Sequence, residues 1–478
     1  MKKFVSMLLL LAMALSLVAC GGSTGAADGA EAPVAAEANF KVPEGGYDGS
    51  EVTIKFYSTM GANLVEVLNT YIAEFNKLYP NIHIEHSSVG GYDDVRDQIS
   101  TEITVGNQPN IAYCYPDHVA LYNLAKAVVQ MDDLIASEQT VTRADGTTEV
   151  LGLTAEQKAD FIEGYYNEGA QFGDGLMYTL PLSKSTEVLY YNKTFFDENG
   201  LTLPTTWDEM EALCAKIKEI DPNSIPLGYD SEANWFITMC EQGNTPYTSA
   251  TGDHYLFNDP ANKAFVKQFR DWYQKGYLTT QTLYGSYTSG LFVSQDGIRS
   301  YMSIGSSAGA RHQCPKQDAD GNYPFEVGIA TIPQLNADNK KVISQGPSLC
   351  IFQKENEQEV LASWLFVKYL ATTVEFQAEF SMASGYVPVL KSVGANPVYA
   401  DFVAKADGND YISALAAKVC LDQESAYYTS PAFNGSSTAR SQVGAMLAAC
   451  LAGDDKGNVD QMIDDAFQKA IDECEYNG

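Results

Sequence analysis

Long apolar runs and basic residues are both scarce in this chain of 478 residues. After residue 20 no stretch reaches the roughly 20 apolar residues that a membrane-spanning helix needs, which argues against a membrane-spanning protein. Lys and Arg number 30 against 61 Asp and Glu, for a net charge of -31. This excess of negative charge argues against nucleic acid or an anionic membrane surface as a partner.

Motifs for nucleotide and metal binding are also missing. No Gly-Lys dipeptide occurs, so there is no Walker A loop. None of the nine cysteines forms C-x-x-C, and the eight that follow Cys20 suit either disulfides or buried thiols. His83 and Glu85 would share one face of a strand while His86 lies on the other, which argues against joint metal ligation. We therefore expect no metal and no cofactor.

One pattern resembles the nucleophile elbow of a hydrolase. The segment Gly305–Gly309 matches G-x-S-x-G around Ser307. That class of enzyme needs an acid and then a histidine downstream, but the only later histidine is His312, five residues away. We interpret the segment as a loop of small residues and predict that the protein is not an enzyme.

The first 50 residues are read as a targeting segment and a tether. Met1 to Cys20 has a basic start, a short apolar core and the ending Leu17-Val18-Ala19-Cys20, which resembles the lipobox of a bacterial lipoprotein signal peptide. The alternative is an ordinary secretory signal with a chance cysteine. Residues 21–50 are rich in Gly, Ala and Glu and predict a flexible tether. We therefore expect a chain that is lipidated at Cys20 and anchored to the outer face of the cell membrane.

The next segment has the pattern of an α/β protein. Glu51–Ser58 and Ile82–Val89 alternate as strands, and an amphipathic helix lies between them. This β-α-β unit predicts a parallel strand pair, and the order of elements suits a doubly wound lobe. Further on, the pattern predicts a strand over Val342–Phe352 and helices over Asp401–Val419 and Ala439–Leu451.

The most distinctive stretch is Pro181 to Trp207, with the sequence PLSKSTEVLYYNKTFFDENGLTLPTTW. It predicts a strand, a helix closed by Gly200, and a second helix capped by Thr206 with Glu209 three residues later. The stretch resembles the segment that marks family 1 extracellular solute-binding proteins, and within that family it is most similar to glycerol-3-phosphate-binding members. The matching residues are Pro181, Ser185, Thr186, Leu189, Tyr190, Tyr191, Asn192, Lys193, Gly200, Leu201, Pro204, Thr206, Trp207 and Glu209.

The resemblance, weaker outside this stretch, extends from about Val52 to about Asp465. It implies a periplasmic binding protein type II-like fold: two doubly wound α/β lobes joined by a hinge with three chain crossings. The crossings are placed near Lys184, Gln345 and Thr373. The N-terminal lobe would then comprise residues 51–184 and 345–372, and the C-terminal lobe residues 185–344 and 373–478.

The resemblance also implies the function: a monomeric capture protein for an ABC importer, which holds a carbohydrate or a glycerol phosphate compound between its lobes and delivers it to permease subunits. Two other readings stay open, an exported carbohydrate-active hydrolase and a surface adhesin. An enzyme would convert labelled oligosaccharides, and an adhesin would show no hinge closure.

Candidate ligand-binding residues follow from the same resemblance, because sugars are held by aromatic faces and small polar side chains. Trp235 is expected in a loop, and Arg440 in the first turn of a helix capped by Ser436 to Thr438, where a cation opposes the helix dipole. The candidates are Tyr92, Asp117, Ser185, Thr186, Trp235, Ser306, Ser307, Gly346, Ser348, Tyr386 and Arg440.

Overall fold

The computed structural model describes residues 38–477. Cys20 and the predicted signal peptide lie outside this range, as does most of the predicted tether. Among residues 38–477, no helix is both long enough and apolar enough to cross a bilayer.

The end of the predicted tether is packed against the protein, so the prediction of a flexible segment up to residue 50 is wrong for residues 39–50. Phe40 and Tyr47 are buried in the hydrophobic core. The Val42 amide donates to Asp133, 2.7 Å away. Two aromatic side chains provide enough apolar area to hold a short, otherwise polar segment in place.

Helices account for most of the ordered elements. The α-helices are α1 (Ala62–Leu78), α2 (Tyr92–Ile103), α3 (Pro116–Asn123), α4 (Asp132–Ala136), α5 (Ala155–Asp160), α6 (Glu163–Asn167), α7 (Lys193–Asn199), α8 (Trp207–Ile220), α9 (Glu232–Gly243), α10 (Pro260–Gln274), α11 (Gln281–Tyr284), α12 (Ser289–Phe292), α13 (Glu357–Thr372), α14 (Val374–Ser384), α15 (Pro397–Ala404), α16 (Ile412–Asp422), α17 (Ser436–Ala452) and α18 (Val459–Asn477).

The strands form two large sheets and one small hairpin. They are β1 (Val52–Ser58), β2 (Ile82–Ser88), β3 (Ile111–Cys114), β4 (Thr140–Thr142), β5 (Thr148–Val150), β6 (Leu180–Pro181), β7 (Ser185–Asn192), β8 (Leu227–Tyr229), β9 (Leu278–Thr280), β10 (Met302–Ser306), β11 (Val327–Ala330), β12 (Val342–Gln345), β13 (Ser348–Ile351) and β14 (Tyr427–Tyr428).

The first sheet has the strand order β2-β1-β3-β13-β6. Strands β2, β1 and β3 are parallel, as the predicted β-α-β unit requires, and β13 pairs antiparallel with β3 and β6. The second sheet has the order β14-β12-β7-β10-β8-β9, with β11 added on β7. The fold is therefore α/β with two sheet-containing lobes, as predicted.

The central stretch folds locally as its sequence indicates. The Asn192 side chain caps α7 by accepting from the Phe195 amide, and Gly200 ends that helix in the left-handed conformation. Thr206 and Glu209 form the capping box of α8. Strand β7 follows β6 of the first sheet along the chain and precedes the two capped helices. It lies in the interior of the second sheet.

The chain passes between the sheets at adjacent points. One passage lies between β6 and β7, and another lies between β12 and β13, so the single strand predicted over Val342–Phe352 is in fact two strands in different sheets. Gly346 separates them with φ +101, and a Cβ there would lie 2.6 Å from the Ser183 carbonyl oxygen. Only glycine allows the two passages to approach this closely.

A third segment joins this junction at Val387, whose backbone pairs with that of Lys184. Helix α14, which begins just after Thr373, still packs against α1 of the first lobe. The predicted lobe boundary at Thr373 stays a prediction. The single helix predicted over Asp401–Val419 is divided into α15 and α16, because the chain turns at Gly408 with φ +69.

Candidate ligand-binding site

Two adjoining cavities share Gln345 and Arg440 in their walls. The inner cavity, of about 80 Å³, is lined by residues of both lobes: Tyr115, Pro116, Asp117, Glu168, Ile237, Tyr247, Thr248, Ile343, Ser344, Gln345, Thr429, Ser430, Pro431, Ser436 and Arg440. The larger cavity, of about 580 Å³, is here called the polar chamber. Its walls are Glu187, Asp230, Ser231, Asn234, Gln281, Tyr287, Ser289, Gly305, Ser306, Ala308, Gly309, His312, Gln313, Gln345 and Arg440.

Arg440 is held in the wall between the cavities by a side-chain network. Its guanidinium donates to the Asn234 side-chain oxygen. The Asn234 side-chain nitrogen donates to Glu187 Oε1 at 2.9 Å and to Gln345 Oε1 at 2.8 Å. One amide therefore links a cation, a carboxylate and the end of β12 next to the lobe junction.

Glu187 is a buried carboxylate at the base of the polar chamber. Its other oxygen accepts from the Tyr229 hydroxyl at 2.6 Å. Burial raises the pKa of Glu187 to about 7, although the hydrogen bonds from Tyr229 and Asn234 and the charge of Arg440 each lower it. Near neutral pH this side chain is therefore divided between its two charge states.

Asp230 provides a second carboxylate in the chamber. Its Oδ1 accepts from the Thr288 amide at 2.6 Å and from the Thr288 hydroxyl at 2.7 Å, while Oδ2 has only a long contact of 3.4 Å from Gln313. Burial raises the pKa of Asp230, and the bonds from Thr288 oppose that shift. Oδ2 retains the capacity to accept a hydrogen bond from a bound hydroxyl group.

An aromatic cluster lies beside the inner cavity at the ends of the first sheet. Tyr92 at the start of α2 stacks on Tyr115, which follows β3, with ring centroids 4.3 Å apart. Tyr386 lies close enough that, after burial, it is the next cause that raises the pKa of Tyr92. The parallel strands β1 and β3 bring these turns to one edge.

A buried ion pair lies at the lobe junction, directly behind the inner cavity. Lys184 is fully buried and pairs with Glu168, whose side chain is 3% exposed. The Lys184 ammonium also donates to Ser348 Oγ at 2.9 Å and to the Gly346 carbonyl at 3.2 Å. Glu168 belongs to the wall of the inner cavity, so the same carboxylate faces both the junction and the site.

The structure brings many of the predicted site residues together. Asp117, Ser306 and Arg440 line the cavities. Tyr92 and Tyr386 belong to the aromatic cluster. Three other predicted site residues lie at the lobe junction: Ser185, Gly346 and Ser348.

Three predicted residues have structural partners instead. Trp235 does not lie in a loop; it lies in α9, fully buried, stacked on Tyr229 and Phe269 with centroids 4.9 and 4.0 Å away. The Thr186 hydroxyl donates to the Ile343 carbonyl. Ser307 Oγ accepts from the Thr186 amide and is fully buried, so it is not an exposed nucleophile.

The predicted start of the helix that carries Arg440 is wrong. Helix α17 begins at Ser436, its N-cap is Gly435, and the Ser436 hydroxyl donates to the Phe433 carbonyl. Arg440 is therefore the fifth helical residue and not a first-turn residue. The cation is explained by its bond to Asn234 and not by the helix terminus.

Sequence reasoning missed Glu187, Asp230, Asn234 and Gln345. Alternation along a strand could have found Glu187, because it lies two positions after Ser185 and so shares its face of β7. Asn234 and Asp230 gave no such signal, since they come together with Arg440 only through the packing of α9 against α17.

The cysteines and histidines have other roles. All eight cysteines in the described part of the chain are free thiols, and all but Cys314 are buried. This resolves the choice between disulfides and buried thiols for these eight. His83 contacts Glu51 and His86 contacts Ser58, so the two rings have separate partners.

A cleft between two α/β lobes, with a polar interior and aromatic residues at one end, defines a two-lobed binding protein. The profile of the family described as bacterial extracellular solute-binding protein matches residues 70–407. The chain belongs to that family. It is a solute-binding protein that acts outside the cytoplasm and not an enzyme.

Individual relatives agree with this assignment. The chain is 24% identical over 352 residues to the sn-glycerol-3-phosphate-binding periplasmic protein UgpB of Escherichia coli K12 and to that of Shigella flexneri, covering 71% of this chain and 75% of each relative.

Among solved structures, the fold is similar to that of the cyclic alpha-maltosyl-1,6-maltose binding protein from Arthrobacter globiformis (TM-score 0.68, 18% identity, 90% of this chain and 100% of that one). It is also similar to UgpB from Mycobacterium tuberculosis in complex with glycerophosphocholine (0.66, 16%, 89% and 99%) and to the sugar-binding protein MalE from Xanthomonas citri (0.68, 19%, 89% and 98%).

Proposed function

We propose that this protein captures a carbohydrate, or a glycerol phosphate compound, in the cleft between its lobes and delivers it to the permease subunits of an ABC importer. The main support for this proposal is the wall that the two cavities share, which is formed by Arg440 and Gln345. Arg440 belongs to α17 of the second lobe, yet the inner cavity that it lines is closed on the other side by Tyr115 and Asp117 of the first lobe. A ligand there contacts both lobes and favours the closed arrangement.

The lining favours a neutral carbohydrate as the first candidate. The polar chamber contains hydroxyls, amides and the two carboxylates Glu187 and Asp230, with Arg440 as its arginine. Acceptors of this kind bind sugar hydroxyl groups, whereas two carboxylates near the ligand repel an anion. Tyr287, exposed at the chamber wall, offers an aromatic face to a sugar ring.

A glycerol phosphate compound is the second candidate, and Arg440 is the observation that favours it. A guanidinium donates two parallel hydrogen bonds to phosphate oxygens. Glu187 is divided between its neutral and ionised forms near pH 7, because burial raises its pKa to about 7. A half-neutralised carboxylate repels an anion at Arg440 less than a fully ionised one does.

The site residues stay proposals. Asp117, Ser306, Tyr92, Tyr386 and Arg440 would contact the ligand. Ser185, Gly346 and Ser348 would act at the junction, and the structure adds Glu187, Asp230, Asn234 and Gln345 to the candidates. Trp235, Thr186 and Ser307 would support the site from the core.

The attachment and domain division are part of the same proposal. The chain would be processed at Cys20, lipidated there, and held as a monomer on the outer face of the membrane. The sequence-based division assigns residues 51–184 and 345–372 to one lobe and residues 185–344 and 373–478 to the other. The packing of α14 on α1 favours a third boundary closer to Val387 than to Thr373.

The experiment is a thermal-shift screen of the mature chain against neutral oligosaccharides and glycerophosphodiesters, followed by calorimetry on the hits. Arg440→Ala should weaken a true ligand at least thirtyfold, because loss of a buried charged hydrogen bond costs about 2–5 kcal/mol. Arg311→Ala is the matched control, since Arg311 is exposed and lines neither cavity. Equal affinity in all three proteins would contradict the assignment of Arg440 to the site.

A further inference from the structure

The network around Arg440 contains a feature that capture alone does not require: its acceptor is controlled by a buried acid. Arg440 donates to Asn234 Oδ1, and Asn234 Nδ2 donates to Glu187 Oε1 at 2.9 Å. An amide that gives its hydrogens to a carboxylate must present its oxygen on the opposite side. Gln345 Oε1 accepts from the same nitrogen at 2.8 Å and helps to hold the amide in this orientation. The charge of Glu187 therefore sets how strongly the amide is polarised, and hence how strongly its oxygen binds Arg440.

We propose that Glu187 is a positioning residue for the ligand-facing Arg440, acting through the amide of Asn234, so that solute capture is coupled to one proton at Glu187. When ionised, both Glu187 oxygens accept, one from Tyr229 and one from Asn234. When protonated, the carboxyl carries a hydrogen that points at one of those two donors. With that hydrogen on the oxygen that faces Tyr229, the other oxygen still accepts from Asn234, but as a neutral carbonyl it is a weaker acceptor. The Asn234 amide is then less polarised, and its oxygen binds Arg440 less strongly.

Several charged or titratable groups face Glu187, and each comes from an element packed against β7 or the chamber. Asp230, at the end of β8, is the nearby like charge, and Arg440 is the opposite charge. The others are the phenols of Tyr229 and Tyr428 and the imidazole of His312 in the chamber wall. Glu187 itself hydrogen-bonds directly to both Tyr229 and Asn234.

Glu187 changes its charge within a pH range that is accessible to experiment. Burial is the largest influence on Glu187 and raises its pKa to about 7, while the Tyr229 hydrogen bond lowers it. Between pH 5.5 and 8.5 the side chain therefore passes from mostly neutral to mostly ionised. The exchanged proton goes to solvent through the chamber that Glu187 lines.

The first test needs no ligand and uses the full mature chain. The sequence has six arginines, so the Nε–Hε signals of ¹⁵N-labelled arginine can be assigned with Arg440→Lys. The Arg440 signal should move with a midpoint near pH 7. Glu187→Gln, which keeps the shape of the side chain, should abolish the movement, and Asn234→Ala should uncouple it. Tyr229→Phe should shift the midpoint to higher pH, because it removes a bond that favours the ionised form.

The second test uses calorimetry with maltotriose as a neutral probe and glycerophosphocholine as a phosphodiester probe, whose charge is constant over this pH range. This ligand-binding test rests on the proposed function. Ionised Glu187 holds Arg440 for sugar hydroxyls but opposes an anion, so acidification should weaken maltotriose and strengthen glycerophosphocholine, each by about tenfold. Glu187→Gln should flatten both profiles.

The outcomes separate the two ideas. If neither probe binds, the proposed ligand classes are contradicted, while the arginine signals still decide the role of Glu187. If the Arg440 signal is insensitive to pH in the wild type, or follows the same curve in Glu187→Gln, the inference is overturned. A midpoint that does not move in Tyr229→Phe would assign the titration to a group other than Glu187 and would equally overturn it.

Discussion

The buried ion pair at the lobe junction offers the sharpest test of how the fold is held together. The perturbation is Lys184→Met, which keeps most of the side-chain length and removes the charge. Lys184 is fully buried and Glu168 is 3% exposed. Without the ammonium, Glu168 keeps the Ser348 hydroxyl at 3.2 Å as its partner. An uncompensated carboxylate then remains in the interior.

The expected loss is about 3–5 kcal/mol of unfolding free energy, the range for breaking a buried ion pair by removing one partner. Glu168→Gln should rescue part of that loss in the double variant, because the stranded charge is then gone as well. The coupling energy from the double-mutant cycle isolates the pair from other effects of each substitution.

The assay is urea denaturation at pH 7, followed by far-ultraviolet circular dichroism and by tryptophan fluorescence. The matched control is Lys193→Met, which breaks the exposed pairs of Lys193 with Asp197 and Glu326; the lysine side chain is 39% exposed and the two acids are 67% and 42% exposed. That control should cost no more than about 1 kcal/mol. A Lys184→Met variant as stable as the control, or a cycle without coupling, would refute the reasoning.

Four further predictions follow from the site, the junction and the N-terminal segment. Gly346→Ala should lower the melting temperature in calorimetric scans, since its left-handed φ and the 2.6 Å approach to Ser183 oxygen would cost about 1–3 kcal/mol, whereas Gly290→Ala, with open space around it, should not. Between pH 5 and 8.5 the wild type should lose up to about 3 kcal/mol of unfolding free energy relative to Glu187→Gln. The reason is that the raised pKa of Glu187, about 7, stabilises the fold at low pH, and this contribution disappears as the pH rises through that value. Urea denaturation that gives the same pH dependence of the unfolding free energy in both proteins would contradict this. Saturating ligand should reduce the radius of gyration in small-angle scattering, and an unchanged radius for a bound ligand would argue against lobe closure. Cys20→Ala should release the protein from membrane fractions, and mass spectrometry that finds an unlipidated mature chain beginning elsewhere would exclude the lipoprotein assignment.

Much of the architecture was predictable because it depends on local signals. The alternation and helical periodicity of residues 51–115 determine a parallel β-α-β unit, and the caps at Asn192, Gly200 and Thr206 determine where α7 and α8 begin and end. Backbone hydrogen bonds and short-range side-chain contacts are sufficient for such elements. The resemblance to the solute-binding family came from the stretch Pro181–Trp207, whose residues also form β7.

Errors arose where a local pattern was ambiguous without its neighbours. The apolar run Val342–Phe352 looks like one strand, but two sheets compete for its halves and Gly346 allows the break. The polar composition before residue 50 predicts a free tether, yet Phe40 and Tyr47 find an apolar surface that only the folded lobe presents.

The site itself divides in the same way. Arg440 and Asp117 could be named from the sequence because they are charged residues at positions that resemble a known pattern. Trp235 could not be separated from a ligand-binding aromatic, since stacking on Tyr229 and Phe269 depends on the packing of α9 and α10 against the sheet. Asn234 became a candidate only when tertiary packing brought its amide within hydrogen-bonding distance of both Glu187 and Arg440. Burial in that packing, which no sequence position encodes alone, is also what raises the pKa of Glu187 and gives the site its expected response to pH.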